Sequence, residues 1–261
     1  MRNGVAIDFA AHVQLGEWPG YIWVNKFGTN LDVGTVREDV WGAGGVMVHP
    51  DTADTLSLVS DDNLEDIPDG DGAQTVEVYG LDENWDLKIE TYAMNGTTPT
   101  VTTGDQWRRV YRAHVDDVGV YGSNNTGNIT ITHTASGDTL GYIVAGIGQT
   151  QVTHFTVPRN YSFLVRHVFG NVQQSKSSAT IRGWQRKRAD VVSAPFTAKR
   201  VWGRFDGASG GFGKEYRYAQ AFSEKTDIWF TAEANAAGSN PAVNVEYVGL
   251  LVRDTSLQSE V

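Results

Sequence analysis

Residues 74–92 read "QTVEVYGLDENWDLKIETY". Val76 and Val78 fall on one parity, while Thr75, Glu77 and Tyr79 fall on the other. Alternation of this kind buries one face of an extended chain and wets the other, the period-2 signature of a β-strand. "LDENW", Leu81–Trp85, supplies hairpin-type turn residues, and Leu87–Tyr92 reads as the returning strand. The same pattern recurs in "NITITHT" at 128–134, where Ile129 and Ile131 oppose Thr130 and Thr132.

Outward from this hairpin, short runs rich in Val, Ile, Thr, Tyr and Trp recur between Gly, Asn, Asp and Pro. They predict strands at Tyr21–Phe27, Thr55–Val59, Gln74–Tyr79, Leu87–Tyr92, Trp107–Val115, Gly127–Thr134 and Gly141–Ala145. Further strands are predicted at Gln151–Val157, Ser162–Asn171, Ala179–Arg186, Val201–Phe205, Asp227–Ala234 and Val243–Arg253. Such spacing defines an all-β chain of β-sandwich or jelly-roll modules. "VAIDFAAHVQL", Val5–Leu15, is the best helical pattern, with apolar residues near i, i+4 and i+8. We expect a short helix or extended arm over 1–19, a β-sandwich over 20–140 and a second, jelly-roll-like sandwich over 141–261. The two sandwiches either stand apart or share strands in one larger jelly roll. The Gly-rich run "TASGDTLGYIVAGIGQTQ" marks the expected boundary near residue 140.

The chain has 261 residues, no cysteine and a net charge of −10. That length buries a sizeable core without staples. The absence of cysteine excludes disulfides and thiolate chemistry, and fits synthesis in a reducing cytoplasm. The acidic balance opposes nucleic-acid binding, which needs clustered Lys and Arg. Residues 1–100 carry 4 Lys/Arg against 18 Asp/Glu, and residues 101–261 carry 17 against 13. A split of this size either orients the protein on a partner or reflects two solvated faces. No cleaved signal peptide is expected from "MRNGVAIDFAAHVQLGEWPG", and no apolar run reaches membrane-spanning length.

Motifs for catalysis do not emerge. The six histidines show no HExxH and no metal-ligand pairing, so strand or surface histidines are expected. "GASGG" lacks the strand–turn–helix setting of a nucleophile elbow. "GAGG" and "GGFG" open no helix and read as tight turns. The acidic run "SDDNLEDIPDGDG", Ser60–Gly72, offers the hard oxygen ligands that calcium takes, without the spacing of an EF-hand; a mobile, solvated loop is expected. No cofactor or metal is assigned. The basic run "IRGWQRKR" puts Arg182, Trp184, Arg186 and Arg188 on one parity. Arg beside Trp suits a partner interface, because Arg forks onto carboxylates and stacks on rings. Protection of a sheet edge explains the same cations equally well.

Residues 24–45, "VNKFGTNLDVGTVREDVWGAGG", combine an expected strand, a turn region over Gly28–Gly34 and a Gly-rich corner. With "TLSLVSDD", "GAQTVEVYGLDENWDLKIETYAMNGTTPTVTTGDQWRRVYRAHV", "GNITI", "YIVAGIGQTQVTHFTVPRNYSFLV" and "EKTDIWFTAEANA", they resemble virion structural proteins of tailed bacteriophages. The resemblance spans residues 20–253 and is to capsid decoration (cement) proteins. It implies a homotrimer on the capsid surface, made in the bacterial host cytoplasm and partnered by the major capsid protein, without nucleic acid, membrane or catalysis. A head-fibre or tail station is the alternative within that class. A carbohydrate-binding sandwich using exposed Trp is the alternative outside it, and a polysaccharide-cleaving enzyme ranks last. Candidate partner-interface residues are Phe9, Trp18, Arg182, Trp184, Arg186 and Arg188.

Overall fold

The computed structural model describes residues 9–254. One helix, α1 (Phe9–Gln14), precedes sixteen strands. They are β1 (Tyr21–Asn30), β2 (Glu38–Asp39), β3 (Leu56–Ser60), β4 (Ala73–Leu81), β5 (Leu87–Ala93), β6 (Thr100–Val101), β7 (Arg109–Val118) and β8 (Ile129–His133). Then come β9 (Thr139–Ile143), β10 (Phe155–Thr156), β11 (Tyr161–Val172), β12 (Ala179–Arg186), β13 (Lys199–Ala208), β14 (Gly210–Phe222), β15 (Asp227–Ala234) and β16 (Val243–Arg253). The chain is all-β, as the alternating runs require. Gly16, at φ 71°, closes the helical turn in the left-handed region where glycine is unpenalised. The expected helix start at Val5 lies outside the described residues.

Two antiparallel sheets form the larger sandwich. One has the order β1-β16-β11-β14; the other runs β2-β15-β12-β13, with β10 beside β2 on the same edge of β15. With β2 and β10 sharing one edge of β15 as a single position, the eight positions follow a jelly-roll order, successive strands changing sheet except from β12 to β13. Val243, Val245, Tyr247 and Leu251 of β16 point inward with Phe163, Val165, Val168 and Val172 of β11. They meet Ile181 of β12 and Ile228, Phe230 and Ala232 of β15. The inward parity of β11 changes from odd to even across a bulge between Val165 and His167, where one extra residue bends the strand.

A second sandwich is inserted between β2 and β10. Its sheets run β6-β3-β8-β9 and β5-β4-β7. Leu56, Leu58, Ile129 and Ile131 pack across the layer against Val76, Val78 and Ala113, so the opening hairpin and "NITITHT" bury the valines and isoleucines that alternation selects.

The structure differs from several expectations. β1 lies outside the 20–140 module, because Tyr21–Asn30 forms a ten-residue antiparallel ladder with β16, from Tyr21 opposite Val252 to Asn30 opposite Val243, and β2 likewise joins β15. Gly28 is strand, not turn: a Cβ there would stand 2.3 Å from Val40 O and 2.7 Å from Thr153 N, so glycine permits the close crossing. "GAGG" is the expected corner, with Gly44 and Gly45 at φ 68° and 66°. "GGFG" instead opens the long strand β14 against β11. The expected strand 151–157 shortens to β10, since Val152 only bridges Trp41 and Thr153 Oγ1 donates to Val40 O.

The acidic run is a knot of carboxylates and backbone amides. Asp66 is fully buried and accepts from Ser60 Oγ and from the amides of Ala73, Thr126 and Gly127 at 2.6–2.9 Å. Asp62 accepts from the amides of Leu64 and Glu65, and Asp61 from Asn128. The Glu65 amide bond most of all, and then the Leu64 bond, hold the Asp62 carboxyl below its usual range. Repulsion within the run is offset by these donors, so its order is local.

The two sandwiches meet at a buried ion pair. Arg109 on β7 and Asp227 on β15 are each 2% exposed, with Nε–Oδ1 at 3.2 Å and Nη2–Oδ2 at 3.3 Å. Arg109 Nη1 donates to Pro50 O and Arg108 O, and Thr156 Oγ1 donates to Asp227 Oδ1 at 2.6 Å. Removing one partner of such a pair costs about 3–5 kcal/mol, because the other is left charged and buried. Arg109→Met is therefore expected to lower urea-unfolding stability by about that amount, and Asp227→Leu added to it to recover most of the loss. Additive losses in the double variant would show that the two groups do not act as a pair.

Candidate functional site

Strand alternation sets the outer face of the second sheet. With Ala179, Ile181 and Gly183 turned to the core, β12 presents Arg182, Trp184 and Arg186 outward. With Ile228, Phe230 and Ala232 turned inward, β15 presents Asp227, Trp229 and Thr231 on that same side. Trp184 and Trp229 are cross-strand partners, and Trp184 Nε1 donates to Thr231 Oγ1 at 3.0 Å. The segment after the Gly44–Gly45 corner crosses this face. It is pinned where Met47 N donates to Asp39 Oδ2 at 2.7 Å. A cavity of about 490 Å³ lies between segment and sheet, within the range of small-ligand sites.

Polar side chains line its floor in a continuous row. His49 Nε2 and His154 Nδ1 are 2.8 Å apart, so one donates and the other accepts. His154 stacks on Trp229 with centroids 5.7 Å apart and an interplanar angle of 11°. His154 Nε2 stands 3.2 Å from Asp39 Oδ2 without hydrogen-bond geometry, so the directed bond to that oxygen is the Met47 amide. Burial, then the nearby Arg109 guanidinium, pushes the His49 imidazolium well below its usual pKa. Burial alone would raise Asp227; Arg109, His49 and the Arg109 and Thr156 hydrogen bonds outweigh it and hold that carboxyl well below the usual range.

Cations stand around the mouth, two of them on the indole rings. Arg37 lies 5.6 Å from the Trp184 ring and donates to Glu233 Oε2 at 3.0 Å. Lys199 lies 5.5 Å from the Trp229 ring. The rings therefore hold cations in place through their π faces, and neither Trp is a bare sugar platform.

Of the sequence-predicted interface residues, Trp184 and Arg186 line this cavity. Arg182 is drawn to Asp206 at 2.5 Å. Arg188 lies beyond β12 at φ 52°, bonded to Asp190 at 3.1 Å and 5.4 Å from the Phe196 ring, so it leaves the shared face. β12 has neighbours on both sides, which removes edge protection as the reason for its cations. Phe9 and Trp18 lie elsewhere, packed edge-to-face on each other and on Tyr21. Sequence reading missed Arg37, Asp39, His49, His154, Lys199 and Trp229 as one site. His49 and His154 are 105 residues apart, and no local motif joins them. Among the described residues no group of three or more His, Asp or Glu is placed to hold a metal ion, and no helix is long and apolar enough to cross a membrane.

No family model and no curated protein matches the chain. Solved structures similar to it include a mutant VP2 protein of infectious bursal disease virus in derived T=1 particles. That match has 10% identity and a TM-score of 0.28, over 96% of this chain and 76% of that one. The virus's T13 particle matches at 10% identity and a TM-score of 0.29, over 90% and 70%. A VP2 subviral particle matches at 9% and 0.27, over 95% and 78%. Likeness at this level assigns neither family nor function.

The His49 shift fixes a pH dependence. Its folded pKa lies below the unfolded value of about 6.5, so the unfolded chain binds the extra proton first. The stabilisation is whole above pH 6.5 and is lost as pH falls toward the folded pKa, at up to about 1.4 kcal/mol per unit. Asp227 adds a second loss below about pH 4. Urea midpoints measured from pH 7.5 to 5.5 are expected to fall for the native chain and to flatten in His49→Gln. Parallel falls in both would assign the titration to another group.

Proposed function

We propose that this chain is a structural protein of a tailed-phage virion, one that decorates the capsid, bridges neighbouring major capsid subunits and performs no catalysis. The observation that carries the reading is the strand order of the larger sandwich. Eight-stranded jelly rolls of this kind build viral capsid and lectin domains. That is an analogy of fold, and the resemblance of residues 20–253 to phage decoration proteins selects the virion within it.

The capsid-facing feature we assign is the aromatic group at the start of β1. Phe9 and Trp18 are 44% and 47% exposed although they pack on each other and on Tyr21. Exposed aromatics held rigid by their neighbours lose little entropy on binding, which is what an interface anchor requires. α1 buries Val13 alone among its described apolar side chains, leaving the ring cluster outside the core. In a homotrimer on the capsid surface the cluster would appear three times, and three linked contacts bind far more tightly than one.

Deletion of residues 1–18 is expected to weaken co-sedimentation with empty phage heads by about two orders of magnitude or more. The urea midpoint of the β core should stay within about 1 kcal/mol of the intact chain. Light scattering on the intact chain should give three copies. A monomer that ignores heads sinks the proposal, and saturation of tails or fibres in place of heads moves the protein to another station on the virion.

A further inference from the structure

The ladder between β12 and β13 contains two like-charge pairs. Arg182 faces Arg204, and Arg186 faces Lys199. Like charges directly opposite each other destabilise a sheet, so each pair calls for a compensating anion. The first has one: Asp206 takes Arg182 on Oδ1 at 2.5 Å and Arg204 on Oδ2. The second makes no ion pair among the described residues: the carboxylate opposite Arg186 on β15, Asp227, is bonded to Arg109. Lys199 lies only over Trp229. Arg186 donates through Nη2 to Val191 O at 3.3 Å, while its Nε is buried without a hydrogen-bond partner. Both side chains face the 490 Å³ cavity.

The acids in that wall are already engaged. Asp227 is held by Arg109 and Thr156, and Asp39 by the Met47 amide. Arg37, the third cation, is paired with Glu233. The site therefore lacks one anion, at the place where Arg186 and Lys199 stand opposite each other on the cavity wall. Arg recognises planar carboxylates through parallel N–H bonds, and the Arg186 Nε is a buried donor without a hydrogen-bond partner. Around that point the wall is mixed. Met47 and the exposed Val46 and Val48 offer apolar contact. Imidazole His49, uncharged at neutral pH, offers neutral hydrogen bonding. A ring that carries hydroxyls on its rim, C–H groups on its face and one carboxylate meets all three surfaces.

We propose that the cavity binds a carboxylate-bearing saccharide, whose carboxylate bridges Arg186 and Lys199 as Asp206 bridges Arg182 and Arg204. This reading goes beyond a structural role on the virion: it gives the outer face of the jelly roll a receptor for acidic glycans.

The test is calorimetry on the full chain with a hexuronic-acid disaccharide, its neutral counterpart and sodium phosphate, at equal ionic strength. Saturable binding of the acidic disaccharide is expected, with the neutral sugar and phosphate each at least about ten-fold weaker. Lys199→Glu should reduce acidic-sugar binding at least about ten-fold. Because it turns the like-charge pair with Arg186 into an opposite one, the unliganded thermal midpoint should hold or rise. The proposal is overturned by any of four results: no saturable binding of the acidic sugar, equal binding of the neutral sugar, equal binding of phosphate (a bare anion site), or unchanged binding by Lys199→Glu.

Discussion

The structure turns on one buried ion pair. Arg109 belongs to the inserted sandwich and Asp227 to the jelly roll, and their side chains meet where water is excluded. Two bare charges there would be ruinous, so the surroundings must satisfy what the pair leaves over. They do: Pro50 and Arg108 carbonyls take the outer guanidinium nitrogen, Thr156 serves the carboxylate, and the Trp85 ring lies 5.1 Å from the guanidinium carbon. Each of these groups comes from a different stretch of chain. The pair can form only when the insertion, the β10 segment and β15 are all in place. A geometry that strict specifies docking more than it adds stability, a role known for buried polar groups in other folds.

Asp227 also opens β15, and that links the junction to the cavity. Once Asp227 faces outward toward Arg109, alternation sends Trp229 and Thr231 to the same side and Ile228 and Phe230 into the core. A one-residue slip would exchange the two sets. The ion pair and the Phe230 core therefore fix the same register from opposite faces of the strand. The position of the cavity's back wall follows from that register, and His154 is set against it by its stack on Trp229.

Much of the fold was legible in the sequence because one-sided burial writes itself as alternation. Val76 and Val78, or Ile129 and Ile131, could be assigned to a core before any partner strand was known. β14 was not legible for the same reason reversed: "GGFGKEYRYAQAF" lies at a sheet edge with only Gly210 and Phe222, its two ends, buried, so burial left no clear alternation in it. The partner of β1 was hidden too, since Tyr21 pairs with Val252 at the far end of the chain. The cavity's β12 wall was legible, through Trp184 and Arg186 on one parity. The departure of Arg188 depended on a positive φ that nothing in "QRKR" announces. The histidines and Lys199 came into view only with the fold, because their neighbours are set by the jelly-roll crossing.

The contrast between the two like-charge pairs argues against reading the basic run as a solvated face. Cations that merely keep a protein soluble gain nothing from being placed opposite one another, and such placement costs stability. In the Arg182–Arg204 pair that cost is offset by an acid two residues further along β13, on a side chain well exposed to solvent. The same solution was open to the Arg186–Lys199 pair and is absent there, although the neighbouring strand already holds Asp227 on that face. Asp227 is spent on Arg109, and its bidentate geometry leaves it no freedom to turn outward. The demand of the junction thus withdraws Asp227, the carboxylate on the strand beside Arg186, from neutralising the cavity. What makes the two sandwiches one body also leaves the cavity wall positively charged.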